Sequence, residues 1–369
     1  MVAALTQVDV ARLLARPSAR VRAEVAEKLA HEIDGASLTA SELQLAQDIV
    51  RTLAKDVELA VRCALSHSLR HARHVPHDVA VQLANDVEAV ALPFLGASPV
   101  LTDADLVELV QHGSGEKHAA IAGRPGVSEQ VADALVNMAG ETAVATLMGN
   151  RTARIAEASL GTAIDRFADS DRVKASIVHR ASVPVTIAER LVVMVSEKLQ
   201  AYLVSHHELP VSLATDIVLQ SRERATLDLS HDSGEDELER LVRQMHRNHR
   251  LTPSLVLRAL CLGDIAFFET AMAVMAGVPV MNARILLDDA GPNSLTALYA
   301  KAAMPPRLLP AVRIGLDVSR GTKFDGGERD RERHRSRVIA RILTQFEDLP
   351  QPDLDYLLDK LGDVLTVAA

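Results

Sequence analysis

A short apolar phrase returns along this chain at a nearly fixed interval. An apolar residue is followed by Pro, Ser or Thr, an apolar pair comes three residues later, and another apolar residue follows three after that. The plainest copies are Val75-Pro76 with Val79, Ala80 and Leu83; Val183-Pro184 with Ile187, Ala188 and Leu191; and Leu209-Pro210 with Leu213, Ala214 and Ile217. Val278-Pro279 and Met304-Pro305 follow suit, and looser copies open at Leu101, Val127 and Leu251. The starts at 75, 101 and 127 are 26 residues apart, and the same interval separates 183 from 209 and 278 from 304. Offsets of four, five and eight fall on one helical face. Pro suits a first helical position, where no N–H is needed, and Ser or Thr can cap the same turn.

The pattern predicts an all-α chain: an α-solenoid of stacked helical pairs, HEAT-like, in units of about 26 residues. Second helices are expected at Asp86–Leu95, Glu116–Ala122, Glu141–Met148, Ser196–Ser205, Asp264–Met275 and Asn293–Ala302, with glycines at many junctions. The polar stretch Leu227–Glu237 and an extra helix, Leu238–His249, interrupt the rhythm. The expected organisation is an N-terminal array over 1–226, a linker with the extra helix over 227–250, and C-terminal repeats over 251–318. A charged linker and terminal helical pair (Val338–Phe346, Asp353–Leu365) complete it over 319–369.

The run from Met148 to Pro210, MGNRTARIAEASLGTAIDRFADSDRVKASIVHRASVPVTIAERLVVMVSEKLQAYLVSHHELP, resembles an uncharacterised, mainly alphaproteobacterial family of HEAT-like proteins of unknown function. It is also similar to leucine-rich-repeat variants built of short helices. The resemblance is best between about residues 75 and 225. It implies a cytoplasmic bacterial solenoid and brings no catalytic residue with it.

Composition narrows the function classes. Hydrophobic residues make up 48% of 369, yet there are six Phe, three Tyr and no Trp, so Ala, Leu and Val must carry the core. A formal charge of -9 disfavours a nucleic-acid binder, and few aromatics are available for stacking on bases. Cys63 and Cys261 stand far apart without a CxxC companion, which fits a reducing, cytoplasmic setting. The N-terminal stretch does not read as a signal peptide, and no apolar run reaches membrane-span length.

Two clusters are candidate sites. Arg124, Arg180, His206 and Lys301 each stand three residues before a repeat start, so they would line up as a basic ladder suited to an acidic segment of a protein partner. The alternative is stabilisation of helix C-termini. His67 and His71 (i,i+4), within the series Cys63, His67, His71, His74 and His77, could share a metal ion; the alternative is an exposed helix end. The alternating run Glu328–Arg337 scatters its arginines around a helix and reads as a solvated linker. No catalytic motif is present and no cofactor is expected. The expectation is therefore a non-catalytic scaffold, possible in signalling or regulation, that binds a protein partner. The alternatives are a small-ligand or metal-dependent sensor or enzyme with a pocket between the two arrays, and, less favoured, nucleic-acid binding. Oligomeric state is open.

Overall fold

The computed structural model describes residues 18–33, 39–207, 211–231, 233–289, 292–321, 333–334, 336–338 and 340–341. Among them there are helices and no strand. The chain divides into two units, Met1–Val183 and Pro184–Ala369.

The first unit holds α1 (Ala19–Ile33), α2 (Ala40–Leu53), α3 (Leu59–Leu69), α4 (His77–Asn85), α5 (Glu88–Leu95), α6 (Asp103–His112), α7 (Gly115–Ala122), α8 (Glu129–Met138), α9 (Glu141–Gly149), α10 (Glu157–Arg166) and α11 (Asp171–Val178). Most run for eight to eleven residues, too short to persist alone in water. Their stability comes from caps and from packing. Thr39, Thr102, Ser114, Ser128 and Ser170 each cap a helix by accepting from the N–H three residues on. Pro76 sits at the N-cap of α4, one place earlier than a first-turn proline, so its fixed φ sets the entry to the helix.

Apart from α2, which packs on α1 and α3, the helices pack against the second helix along. Thus α1, α3, α5, α7, α9 and α11 contact in sequence, and α4, α6, α8 and α10 do likewise. The repeated phrase supplies the seam: Val79, Ala80 and Leu83, then Leu106 and Leu109, then Val131, Ala132 and Leu135 are all buried. Polar contacts also join successive helical pairs, at separations of 24 to 34 residues. His77 lies 2.8 Å from Asp105, the Arg22–Asp56 and Arg62–Asp86 ion pairs both measure 2.6 Å, and Ser114 donates to Glu88 at 2.6 Å.

The second unit contains α12 (Val185–His207), α13 (Val211–His231), α14 (Glu235–Arg247), α15 (Pro253–Leu262), α16 (Ile265–Ala276), α17 (Val280–Asp288), α18 (Pro292–Lys301), a 3₁₀ turn (Pro306–Leu308) and α19 (Leu309–Gly321). Here the rhythm expected from sequence changes. Residues 185–207 form one 23-residue helix rather than two short ones, because the stretch contains neither Gly nor Pro to end it. The break between units falls at Val183–Pro184. The polar stretch 227–237, expected as the boundary, instead lies within the second unit: Leu227 and Ser230 are buried in the last turns of α13, and Ser230 donates to Asp264 at 2.9 Å.

Helix α16 forms the centre of this unit, contacting α14, α15, α17 and α18, with Phe267 and Phe268 fully buried. No single described helix is long and apolar enough to cross a membrane; α16 and α17 would suffice only together, and they bend by 113° between them. At Gly315 in α19, a Cβ would lie 2.7 Å from Leu260 Cδ2, so glycine is what lets α19 approach α15. His334 is buried and donates from Nε2 to the Leu260 carbonyl at 3.1 Å, so part of the charged run 328–337 belongs to the core rather than to a solvated linker. The expected helix at 353–365 lies outside the described residues.

Candidate functional site: a groove in the second unit

Helix α14 buries Leu238, Leu241, Val242 and Met245 at i, i+3, i+4 and i+7, which turns Glu235, Glu239 and Arg243 outward on a parallel row. Helix α16 presents Thr270, Ala273 and Val274, followed by Gly277, to the same side, and α17 presents Val280, Met281 and Arg284. Between these rows lies an open groove of about 540 Å³, continued by a smaller hollow of about 160 Å³ that shares Glu239 and Val280 with it. Small side chains on α16 make the floor low, and Gly277, in the left-handed region at φ 62°, turns the chain sharply into Val278-Pro279 at one end.

The rim is ordered by ion pairs. Arg284 donates to Glu235 and to Glu269, both at 2.9 Å, and Arg243 donates from Nε to Glu239 at 3.0 Å. Arg284's hydrogen bond to Glu235 leads the causes that raise the Arg284 pKa above its ordinary value, while burial pushes Glu269 up against the pull of Arg284. Acidic groups outnumber basic ones around the groove, with Glu235, Asp236, Glu239 and Glu269 set against Arg243 and Arg284. Val274, Val278, Val280 and Met281 supply apolar surface.

Beneath α14 and α15 runs a buried charged network. Arg250 pairs with Glu189 at 2.9 Å, Gln244 donates to Glu189 at 3.4 Å, Arg258 lies 3.2 Å from Glu223, and Thr252 donates to Glu223 at 3.1 Å. Burial pushes both glutamates above the ordinary carboxylate range, and the arginines offset only part of that shift. This network joins α12, α13, α14 and α15 and is not in the groove.

Two of the four residues expected as a basic ladder, Arg124 and Arg180, have internal work. The Arg124 guanidinium donates to the Leu95 carbonyl and, at 2.5 Å, to that of Ser98, at the end of α5. Arg180 donates to Met148 and Ala153 at 3.0 Å and to Asn150 at 3.3 Å, at the end of α9. Asn150 fills the intervening position, donating to Ala122 at 2.9 Å and Arg124 at 2.6 Å. The last carbonyls of a helix lack intrahelical donors, and each of these side chains satisfies those of the preceding unit. Arg166 does the same for Val136 and Ala139, and Arg320 for Leu287 and Asp289. Lys301 is exposed in the last turn of α18, and the side chain of His206 lies outside the described residues.

The histidine cluster does not assemble a metal centre. Arg70 stands between the two imidazoles, with Nη1 2.6 Å from His67 Nδ1 and Nε donating to His71 Nε2 at 3.2 Å, so a guanidinium occupies the place a cation would need. The helix ends at Leu69, which takes His71 off the i,i+4 geometry. Among the described residues, no group of three or more His, Cys, Asp or Glu could hold a metal ion. Sequence reasoning missed the groove because its lining comes from three separate helices; the outward row of α14 was the available signal.

A bacterial family, described as uncharacterised protein conserved in bacteria (DUF2336), matches residues 90–350. The chain belongs to this family. The match takes in most of the first unit's short helices and all of the groove. No curated protein and no solved structure matches the chain.

Proposed function

We propose that this DUF2336 chain is a non-catalytic, HEAT-like α-solenoid scaffold that holds a helical segment of a protein partner in the groove between α14 and α17. The observation that carries this reading is the groove: an open hollow of about 540 Å³ with Val274, Val278 and Val280 in its lining, walled by α14 side chains at i, i+4 and i+8 and rimmed by an acidic excess. Amphipathic helices bind such grooves through anchors at the matching spacing. The charge selects a partner segment with Lys or Arg beside its apolar face, rather than the acidic segment that an open basic ladder would have favoured. The packing of first-unit helices against the second helix along supports the repeat architecture, the family match supports a bacterial setting, and two cysteines without a CxxC companion fit a reducing, cytoplasmic one.

The test is site-specific photo-crosslinking in a native bacterial host, with the photoreactive residue at Val278 or Met281 and a control at the exposed Arg172. A discrete adduct at the groove positions, absent at the control and lost in Glu235→Lys/Glu239→Lys, is expected. Adducts that are the same at all three positions would overturn the reading.

A further inference from the structure

We infer that the smaller hollow, about 160 Å³ between α14, α16 and α17, seats one lysine side chain of the partner segment, with Thr270 and the carboxylates of α14 receiving its ammonium. This lysine belongs to the helical partner proposed for the groove and rests on that reading.

Thr270 is the deciding residue. It is 3% exposed, lies in the middle of α16 and lines the hollow. A hydroxyl within a helix commonly donates to the carbonyl four residues back, as those of Thr146, Thr162 and Thr226 do. Among the described residues Thr270 makes neither that bond nor another, so its oxygen meets the hollow without a partner. A valine of the same shape would complete the lining beside Ala273 and Val274 without burying a polar atom. The hydroxyl therefore calls for a ligand that donates a hydrogen bond at this place.

The carboxylates define that donor's charge. Glu235, Asp236 and Glu239 line the hollow against a single guanidinium, that of Arg284. Arg284 reaches Glu235 through Oε1, and Arg243 reaches Glu239 through Oε1, so the Oε2 atoms carry no bond among the described residues. Acidic residues in a first turn also answer the helix dipole, which accounts for Glu235 and Asp236. It accounts neither for Glu239, one turn on, nor for Thr270 on another helix. The three carboxylates do not converge as a metal-ligand set. A compact ammonium brings three donors on one atom, enough for Thr270 Oγ1 and the two Oε2 atoms, whereas a planar guanidinium wants a flat bidentate face. At roughly 30 Å³ per water the hollow has the volume of about five waters. That is room for an ammonium and the end of its stem, which Val280 and Met281 flank. Glu239 and Val280 also line the larger groove, so a side chain seated here can hang from a helix lying along Val274 and Val278.

Titration of the full chain with n-butylammonium, a lysine head and stem without the backbone, tests this by methyl NMR at Thr270 and Val280. A saturable shift is expected, with a dissociation constant of about 1–10 mM. n-Butylguanidinium should bind more weakly by about fivefold or more, and 1-butanol should move neither methyl. Thr270→Val and Glu239→Gln, read at Val280, should each weaken butylammonium by about fivefold or more, with the helical circular dichroism unchanged. Equal binding of butanol and butylammonium, or unchanged binding in Thr270→Val, overturns the inference. A groove adduct from Val278 without butylammonium binding removes the lysine and leaves the helical-partner reading standing. Butylammonium binding without any groove adduct assigns the hollow to a free amine and overturns a lysine of a protein partner.

Discussion

Arg250 meets Glu189 at 2.9 Å, and the Glu189 side chain is only 1% exposed. The pair ties the start of α14's following turn to α12, so it links the long hairpin to the rest of the second unit. Breaking a buried pair leaves one charge without compensation, which costs about 3–5 kcal/mol. Arg250→Met is therefore expected to lower the second unit's stability by that order in urea denaturation. Arg250→Met/Glu189→Leu should recover most of the loss, because an apolar pair avoids the desolvation cost altogether.

The two units should respond oppositely to acid. Burial raises Glu189 and Glu223 in the folded chain, so between the ordinary value and the raised one the folded state holds more protons than the unfolded state, and above the raised one both are ionised. Their contribution is most favourable below the ordinary glutamate value and declines as pH rises through the raised one. In the first unit, hydrogen bonding from Arg22 leads the causes that hold Asp56 low; at Asp86 burial pushes upward, but Arg62 and the Val87 N–H outweigh it. Their contribution is complete above the ordinary aspartate value and is lost as pH falls through the lowered one. Hydrogen exchange between about pH 6 and about pH 3 should show α1 to α5 losing protection before α12 to α16.

Arg124 should behave as a structural residue. Hydrogen bonds from a charged donor contribute about 1.5–3 kcal/mol, and Arg124→Met forfeits those to Leu95 and Ser98. Chemical denaturation should register a loss of about that size, while a matching substitution at the exposed Arg172 should lie within about 0.5 kcal/mol of wild type.

Four helices of the second unit end in a left-handed residue. Gly263 and Gly277 suit that conformation, whereas His249 (φ 56°) and Ala303 (φ 53°) carry a Cβ into it. The same closing bonds form at all four ends, for example Val278 N to Ala273 O at 3.0 Å and Met304 N to Tyr299 O at 3.3 Å. Ala303→Gly should stabilise the chain by about 1 kcal/mol, and Gly277→Ala should destabilise it by about 1–2 kcal/mol. Thermal unfolding of the two variants checks both signs.

The two thiols should separate cleanly. Cys261 is completely buried in α15, and burial pushes its pKa up to about 12, whereas Cys63 is only half-buried. A thiol-specific reagent at neutral pH should label Cys63 and reach Cys261 only after denaturant is added.

The apolar phrase of the sequence was enough to locate the helices, since burying a stripe every few residues requires a helix whatever lies beside it. Val131, Ala132 and Leu135 declare α8 and its buried face without reference to any neighbour. The caps at Thr102 and Ser128 were legible for the same reason, being contacts within three residues. Period alone did not say where a helix fails to stop, and residues 185–207 run on because no local breaker intervenes. Nor could it separate a basic ladder open to a partner from one consumed inside the fold: Arg124 finds its acceptors at Leu95 and Ser98, 29 and 26 residues away. The groove, assembled from Glu239, Val274 and Val280, and the buried Glu189–Arg250 pair exist only once separate helices have packed. Local spacing determined the elements, because the forces that make a helix act over a few residues. The tertiary structure decided which charges are spent and which faces remain open, because burial depends on what the rest of the chain brings alongside.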